Sequence, residues 1–203
     1  DFSMAKNRDI QGVKDELYRQ LNHYEEKYGT SDLELSPGQK LAGLIKRANQ
    51  REGEKTVVIV DEYDAAMLDH LHNDEDQNVV LTIMQEFFAP LKACDANLKF
   101  VFLTGITKFA QMNIFSVVNN INNVSMQPEY EAICGITEKE LHDVFADEII
   151  QLAQKYQCSS EEMKLKLKQY YDGYRFGRGG EEIYNPYSIL NAIQKLHIDS
   201  YWF

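Results

Sequence analysis

Three carboxylates crowd the end of one apolar run. Val57, Val58, Ile59 and Val60 are followed at once by Asp61 and Glu62, then by Tyr63 and Asp64. A continuous β-branched run predicts a strand buried on both faces, and buried strands of open α/β sheets present their chemistry at their carboxyl ends. Two adjacent acids at such an end suit phosphoryl chemistry. The first is placed to help hold Mg²⁺, and the second to polarise the water that attacks a γ-phosphate. A strand ending in a solvated acidic turn would show the same residues, so the neighbouring elements decide between the two.

A second apolar run, residues 100–103, closes on Thr104 and Gly105. If the two runs are adjacent strands, Thr104 shares an edge with Asp61 and Glu62, where its hydroxyl can bond the attacking water or the γ-phosphate. Lys108 stands four residues further on, within reach of a phosphate from that edge. The pattern is that of a Walker B element with a hydroxyl on the same edge. Asp61 is the candidate metal ligand and nucleotide contact, Glu62 and Thr104 are the catalytic candidates, and Lys108 is a second nucleotide contact. The plainer alternatives are a Thr-Gly turn and a solvated lysine.

Other groupings carry less. Gly38 and Gly43 have the G-x-x-x-x-G spacing of a phosphate loop, but Leu44 and Ile45 follow where Lys and Ser/Thr should stand, inside a capped helix. His70 and His72 near Asp69 and Asp74 could ligate a metal, and read better as polar surface. Glu162-Met163-Lys164 matches a nuclease E-x-K only in letters, because it falls within a helical pattern. The aromatic string from Tyr170 to Phe176 suggests base stacking, although in so acidic a chain a packed turn between helices explains it better.

Composition narrows the classes. The chain has 203 residues, 44% hydrophobic and 26% charged, with a formal net charge of −11. Such an acidic chain lacks the basic footprint of nucleic-acid binding and suits anionic membranes no better. No stretch nears the ~18 apolar residues of a membrane span. Cys94, Cys134 and Cys158 lie far apart without metal-ligand spacing and read as reduced thiols of a cytoplasmic protein. The opening Asp1-Phe2-Ser3 reads as a segment cut from something longer.

The elements that position the acids follow from periodicity and caps. Residues 9–28 predict an amphipathic helix stopped by Gly29. Ser36, Pro37 and Gln39 open a second helix running to about Glu52. Residues 76–93 predict a longer helix that Pro90 kinks or ends. A short helix around residues 115–122 and a weak strand at 123–126 are expected next. Beyond Pro128 the pattern turns helical: Thr137 and Glu140 cap a helix reaching about Tyr156, Ser159 and Glu162 cap one reaching Tyr171, and Asn185-Pro186 begin a third. The change in character predicts a boundary near residue 128.

Four strings in order resemble the predicted bacterial AAA-ATPase-like family: the run from Val58 to Asp64, that from Phe100 to Phe109, that from Tyr171 to Phe176, and that from Tyr184 to Asn191. The likeness extends over essentially the whole chain. It implies an α/β fold, a partial P-loop NTPase-type parallel sheet flanked by helices over residues 1–128, followed by a small all-helical lid subdomain over 129–203. It further implies ATP and Mg²⁺ as cofactors, Asp61 and Glu62 as the Walker B acids, Thr104 after the sensor strand, and a nuclease-like domain of the PD-(D/E)XK type as a frequent C-terminal partner.

Members of that family carry a strand and a G-K-S/T loop ahead of the Asp-Phe-Ser string. The expectation is therefore a segment without its central strand, at roughly 25 cal/mol per Å² of lost apolar burial, and inactive alone. A non-hydrolysing nucleotide switch or interaction module acting on a nuclease-like domain is the alternative.

Overall fold

A computed structural model describes residues 1–3, 9–68, 70, 73–106, 114–115, 118, 120–125, 127–173, 175 and 181–201. The chain divides into two compact units, Asp1–Ile121 and Asn122–Phe203. Among the described residues no helix is long and apolar enough to cross a membrane.

In the first unit, local signals set the helices. Helix α1 (Ile10–Tyr28) starts where the Asp9 carboxylate accepts the Gly12 N–H, and it ends at Gly29. Its Val13, Leu17 and Leu21 recur every four residues and are buried on one face. Helix α2 (Pro37–Glu52) opens with a complete capping box between Ser36 and Gln39, and closes on Gly53 at φ 72°, a left-handed conformation that glycine adopts without steric cost.

Strand β1 (Thr56–Val60) leads into a short helix, α3 (Ala65–Leu68). Helix α4 (Asp74–Phe88) is capped by Asn73 and starts slightly before the expected position. Pro90 does interrupt the helical run: α4 ends before Ala89, and Pro90 occupies the first position of a new short helix, α5 (Pro90–Ala93), where its missing N–H costs nothing.

Gly38 sits where α2 crosses α4. A Cβ built there would lie 2.4 Å from the Glu86 carbonyl oxygen, a backbone atom that cannot swing aside. Gly38→Ala is expected to destabilise the protein by about 1–3 kcal/mol through overpacking, read as a lower denaturant midpoint at unchanged slope. An unchanged midpoint would show that the α2–α4 crossing adjusts freely.

Strand β2 (Leu98–Leu103) pairs in parallel with β1, with Val58 opposite Val101 and Val60 opposite Leu103. These four pack toward the helices, Val60 buried and the other three partly so. Their neighbours Val57, Ile59 and Phe100 face the other way and remain 47%, 68% and 55% exposed. The expectation of strands buried on both faces is thus corrected. Among the described residues the helices cover one face only, and the bare face carries the stacked rings of Phe100 and Phe102, 6.1 Å apart.

Described positions 118 and 120–122 are not helical, and 123–125 form no strand. Asn123 instead folds its side chain back onto the Ser125 N–H, a local bond that competes with strand pairing.

The second unit departs from the all-helical expectation. A short antiparallel pair, β3 (Ile136–Thr137) with β4 (Ile183–Tyr184), joins segments far apart in sequence. The helix expected from Thr137 to Tyr156 is two, α6 (Glu138–Val144) and α7 (Ala146–Lys155), broken at Phe145. The break lets Leu141, Ile149 and Leu152 all reach one core, against which Phe145 also packs. Helices α8 (Ser160–Tyr171) and α9 (Pro186–Lys195) follow with the expected caps at Ser159 and Asn185. Met163, the centre of the E-x-K letters, is fully buried in this core, and Glu162 is spent on the Ser159 cap.

Candidate functional site

The parallel pairing carries two loops to the same end of the sheet: residues 61–64 after β1 and 104–106 after β2. Thr104 joins them through all of its polar groups. Its N–H donates to the Val60 carbonyl at 2.9 Å, and its carbonyl accepts the Tyr63 N–H at 2.9 Å. Its hydroxyl accepts the Glu62 N–H at 3.2 Å and donates to the Asp61 carboxylate. One residue therefore holds the Asp61 side chain and the Glu62 backbone together.

Glu62 adopts φ 52°, a left-handed backbone that residues other than glycine seldom take. Such conformations persist only where the surroundings over-determine them, and they cluster at functional sites. Here the Thr104 hydroxyl on one side and the start of α3 on the other hold the turn, the Ala65 N–H donating to the Glu62 carbonyl at 3.0 Å. Asp61 is exposed and Glu62 half-buried, which leaves one carboxylate facing solvent and the other partly shielded from it.

Asp64 has a part that sequence reasoning did not assign. Its side chain is buried at 1% exposure and accepts the Ile106 N–H at 2.9 Å, so it ties the second loop to the first. Tyr63 is buried beside it, its ring 4.9 Å from that of Phe115. Burial pushes the Tyr63 phenol up from its ordinary pKa, and the neighbouring Asp64 charge adds to the shift. Gly105 closes against this pair: a Cβ there would lie 2.5 Å from a Tyr63 ring carbon and 2.8 Å from an Asp64 oxygen. The signal available in the sequence was the acid spacing, Asp61 and Asp64, with a glycine directly after Thr104.

Of the four candidate site residues, the structure brings Asp61, Glu62 and Thr104 into one hydrogen-bonded group, and Lys108 lies outside the described residues. Asp69 and His72 also lie outside them. Gly38 and Gly43 fall inside α2, as the cap pattern required. Cys94, Cys134 and Cys158 are free thiols.

An exposed carboxylate beside a hydroxyl is a hard-oxygen donor set of the kind Mg²⁺ uses when it keeps several waters and bridges to substrate phosphates. Among the described residues no group of three or more His, Cys, Asp or Glu side chains could cage a metal.

Comparison with known proteins bears on this arrangement. A family model described as a predicted AAA-ATPase of the AAA-ATPase-like type matches residues 1–115. An uncharacterized protein from the vnfD 5′ region of Azotobacter chroococcum mcd 1 is 31% identical over 196 residues, covering 97% of this chain and 36% of the relative. The chain thus spans about a third of the length of that relative. No solved structure matches.

Proposed function

Because the chain belongs to the predicted AAA-ATPase-like family, we propose that it supplies the Walker B acids and sensor threonine of a Mg²⁺-dependent ATP hydrolase. The linkage of Asp61, Thr104 and Glu62 across two parallel strands carries the reading. A parallel strand pair presenting an exposed acid, a shielded acid and a hydroxyl at its carboxyl end suits in-line phosphoryl transfer to water.

In this scheme Asp61 would hold Mg²⁺, and the ion would supply charge neutralisation to the phosphates. Glu62 accepts a proton from the attacking water, its carboxylate aimed by the left-handed backbone. Thr104 stands at the γ-phosphate edge and keeps both acids in register, and Lys108 contacts phosphate. The scheme needs a phosphate-cradling loop with a lysine elsewhere in the polypeptide, since α2 absorbs the glycine pair of this segment.

Asp61→Asn in the full-length protein tests the metal role. The variant keeps an acceptor for the Thr104 hydroxyl and loses the charge. Magnesium-dependent ATP turnover is expected to fall by about 10²-fold or more, with unchanged thermal unfolding. A full-length wild type that binds ATP but shows no turnover would favour the nucleotide-switch alternative. Wild-type turnover left intact by Asp61→Asn would remove Asp61 from the site.

A further inference from the structure

The peptide that links Asp61 to Glu62 is held at both ends. Its carbonyl, which belongs to Asp61, accepts the Phe2 N–H at 2.8 Å. Its N–H, which belongs to Glu62, donates to the Thr104 hydroxyl at 3.2 Å. The C=O and N–H of a planar trans peptide point in opposite directions. Phe2 and Thr104 therefore grip one plane from opposite sides.

That grip opposes a definite alternative. Glu62 stands at φ 52°, where its Cβ is crowded by the backbone. A half-turn of the peptide plane is the simplest relief, because it changes ψ of Asp61 and φ of Glu62 together. The half-turn would set the Glu62 N–H against the Phe2 N–H, donor facing donor, and would take the Glu62 N–H away from the Thr104 hydroxyl. Phe2 is itself anchored. It is 5% exposed, and its ring meets those of Phe87 and Phe88 on α4 edge-on, with centroids 5.7 and 6.1 Å away.

We propose that Phe2 is a positioning residue for both acids. With Thr104 it locks the Asp61–Glu62 peptide, keeps Glu62 in its left-handed turn and so aims the two carboxylates. Phe2 acts through one backbone bond, and its ring supplies the anchorage. Thr104 also binds the Asp61 side chain, so the Phe2 bond is the one that controls the peptide without touching a carboxylate. The consequence for turnover rests on the ATP hydrolase reading, whereas the lock rests on backbone geometry alone.

The test deletes the N–H and keeps the ring. In the full-length protein phenyllactate replaces Phe2, so that an ester oxygen stands where the N–H was. Residue-resolved amide exchange at Glu62 is expected to quicken by at least about tenfold, because the peptide is free to turn away from Thr104. Lactate in place of Ala89 removes an N–H bonded to the Gln85 carbonyl at 2.9 Å and should leave Glu62 exchange unchanged. Magnesium-dependent ATP turnover of the Phe2 ester should fall by about tenfold, the upper effect of one backbone hydrogen bond. ATP affinity should stay within about twofold, since aim and not binding is lost. Phe2 and Thr104 hold the same plane, so adding the ester to Thr104→Val should lower turnover by less than about threefold more. Unchanged Glu62 exchange in the Phe2 ester would overturn the lock. Full turnover despite quickened exchange, or effects that simply multiply in the double variant, would overturn the positioning role. A wild type that hydrolyses no ATP would remove the hydrolase reading and that role with it, and the exchange measurement would still decide the lock.

Discussion

Glu62→Gln in the full-length protein is expected to reduce ATP turnover by about 10²–10⁴-fold, the range that a positioned general base contributes. Glutamine matches glutamate in size and tolerates the φ of 52° no worse, so the turn should survive. The Glu62 N–H still donates to the Thr104 hydroxyl, since that bond belongs to the backbone. What changes is basicity: an amide cannot take the proton of water. ATP affinity, measured separately by equilibrium binding, should stay within a few-fold of wild type, because the base acts on water and not on the bound phosphates. Turnover within tenfold of wild type would sink the assignment. Loss of binding together with turnover would instead mean that Glu62 holds the nucleotide.

Asp64→Ala is expected to have the next largest effect, on stability and turnover together. Its carboxylate is buried and accepts the Ile106 N–H, and hydrogen bonds to charged groups are worth about 1.5–3 kcal/mol. Removing it frees the 104–106 loop from the 61–64 loop, so Thr104 no longer has a fixed partner loop on its far side. Turnover should therefore fall by more than the loss of folded protein accounts for. Asp64→Asn keeps an oxygen to accept the same N–H and should recover most of the stability. Equal losses in both variants, by denaturant unfolding, would show that the charge of Asp64 matters and not the tie to Ile106.

The two variants separate chemistry from scaffolding. Glu62→Gln alters a group that would face water and should leave the unfolding transition where it was. Asp64→Ala alters a group buried between two loops and should move that transition. Should both variants shift stability by the same amount, the acids at the end of β1 would be better described as a folding element than as a catalytic one.

Much of the local architecture was legible in the residues. The caps at Ser36 with Gln39, Thr137 with Glu140, Ser159 with Glu162 and Asn185 before Pro186 each form as their spacing requires. A cap involves residues at most a few positions apart, so its energetics are contained in the string itself. The interruption at Pro90 was legible for the same reason: the missing N–H is a property of one residue. The break at Phe145 was not, because continuing or stopping that helix depends on which arrangement seats Leu141 and Ile149 in a core that also takes in Met163, Tyr184 and Ile189 from later elements.

The site shows the same division. The β-branched run and its terminal acids determined that a strand ends in Asp61 and Glu62, and the second run determined that another ends in Thr104. Only the tertiary structure decided that the two strands lie side by side in a register that sets the Thr104 hydroxyl on Asp61, across 43 positions of sequence. It alone buried Asp64 and tied it to the Ile106 N–H, paired Ile136 with Tyr184, and left Val57, Ile59 and Phe100 uncovered. Strand pairing is set by contacts summed over distant segments. An apolar run states how much surface wants burial, but not which neighbour buries it.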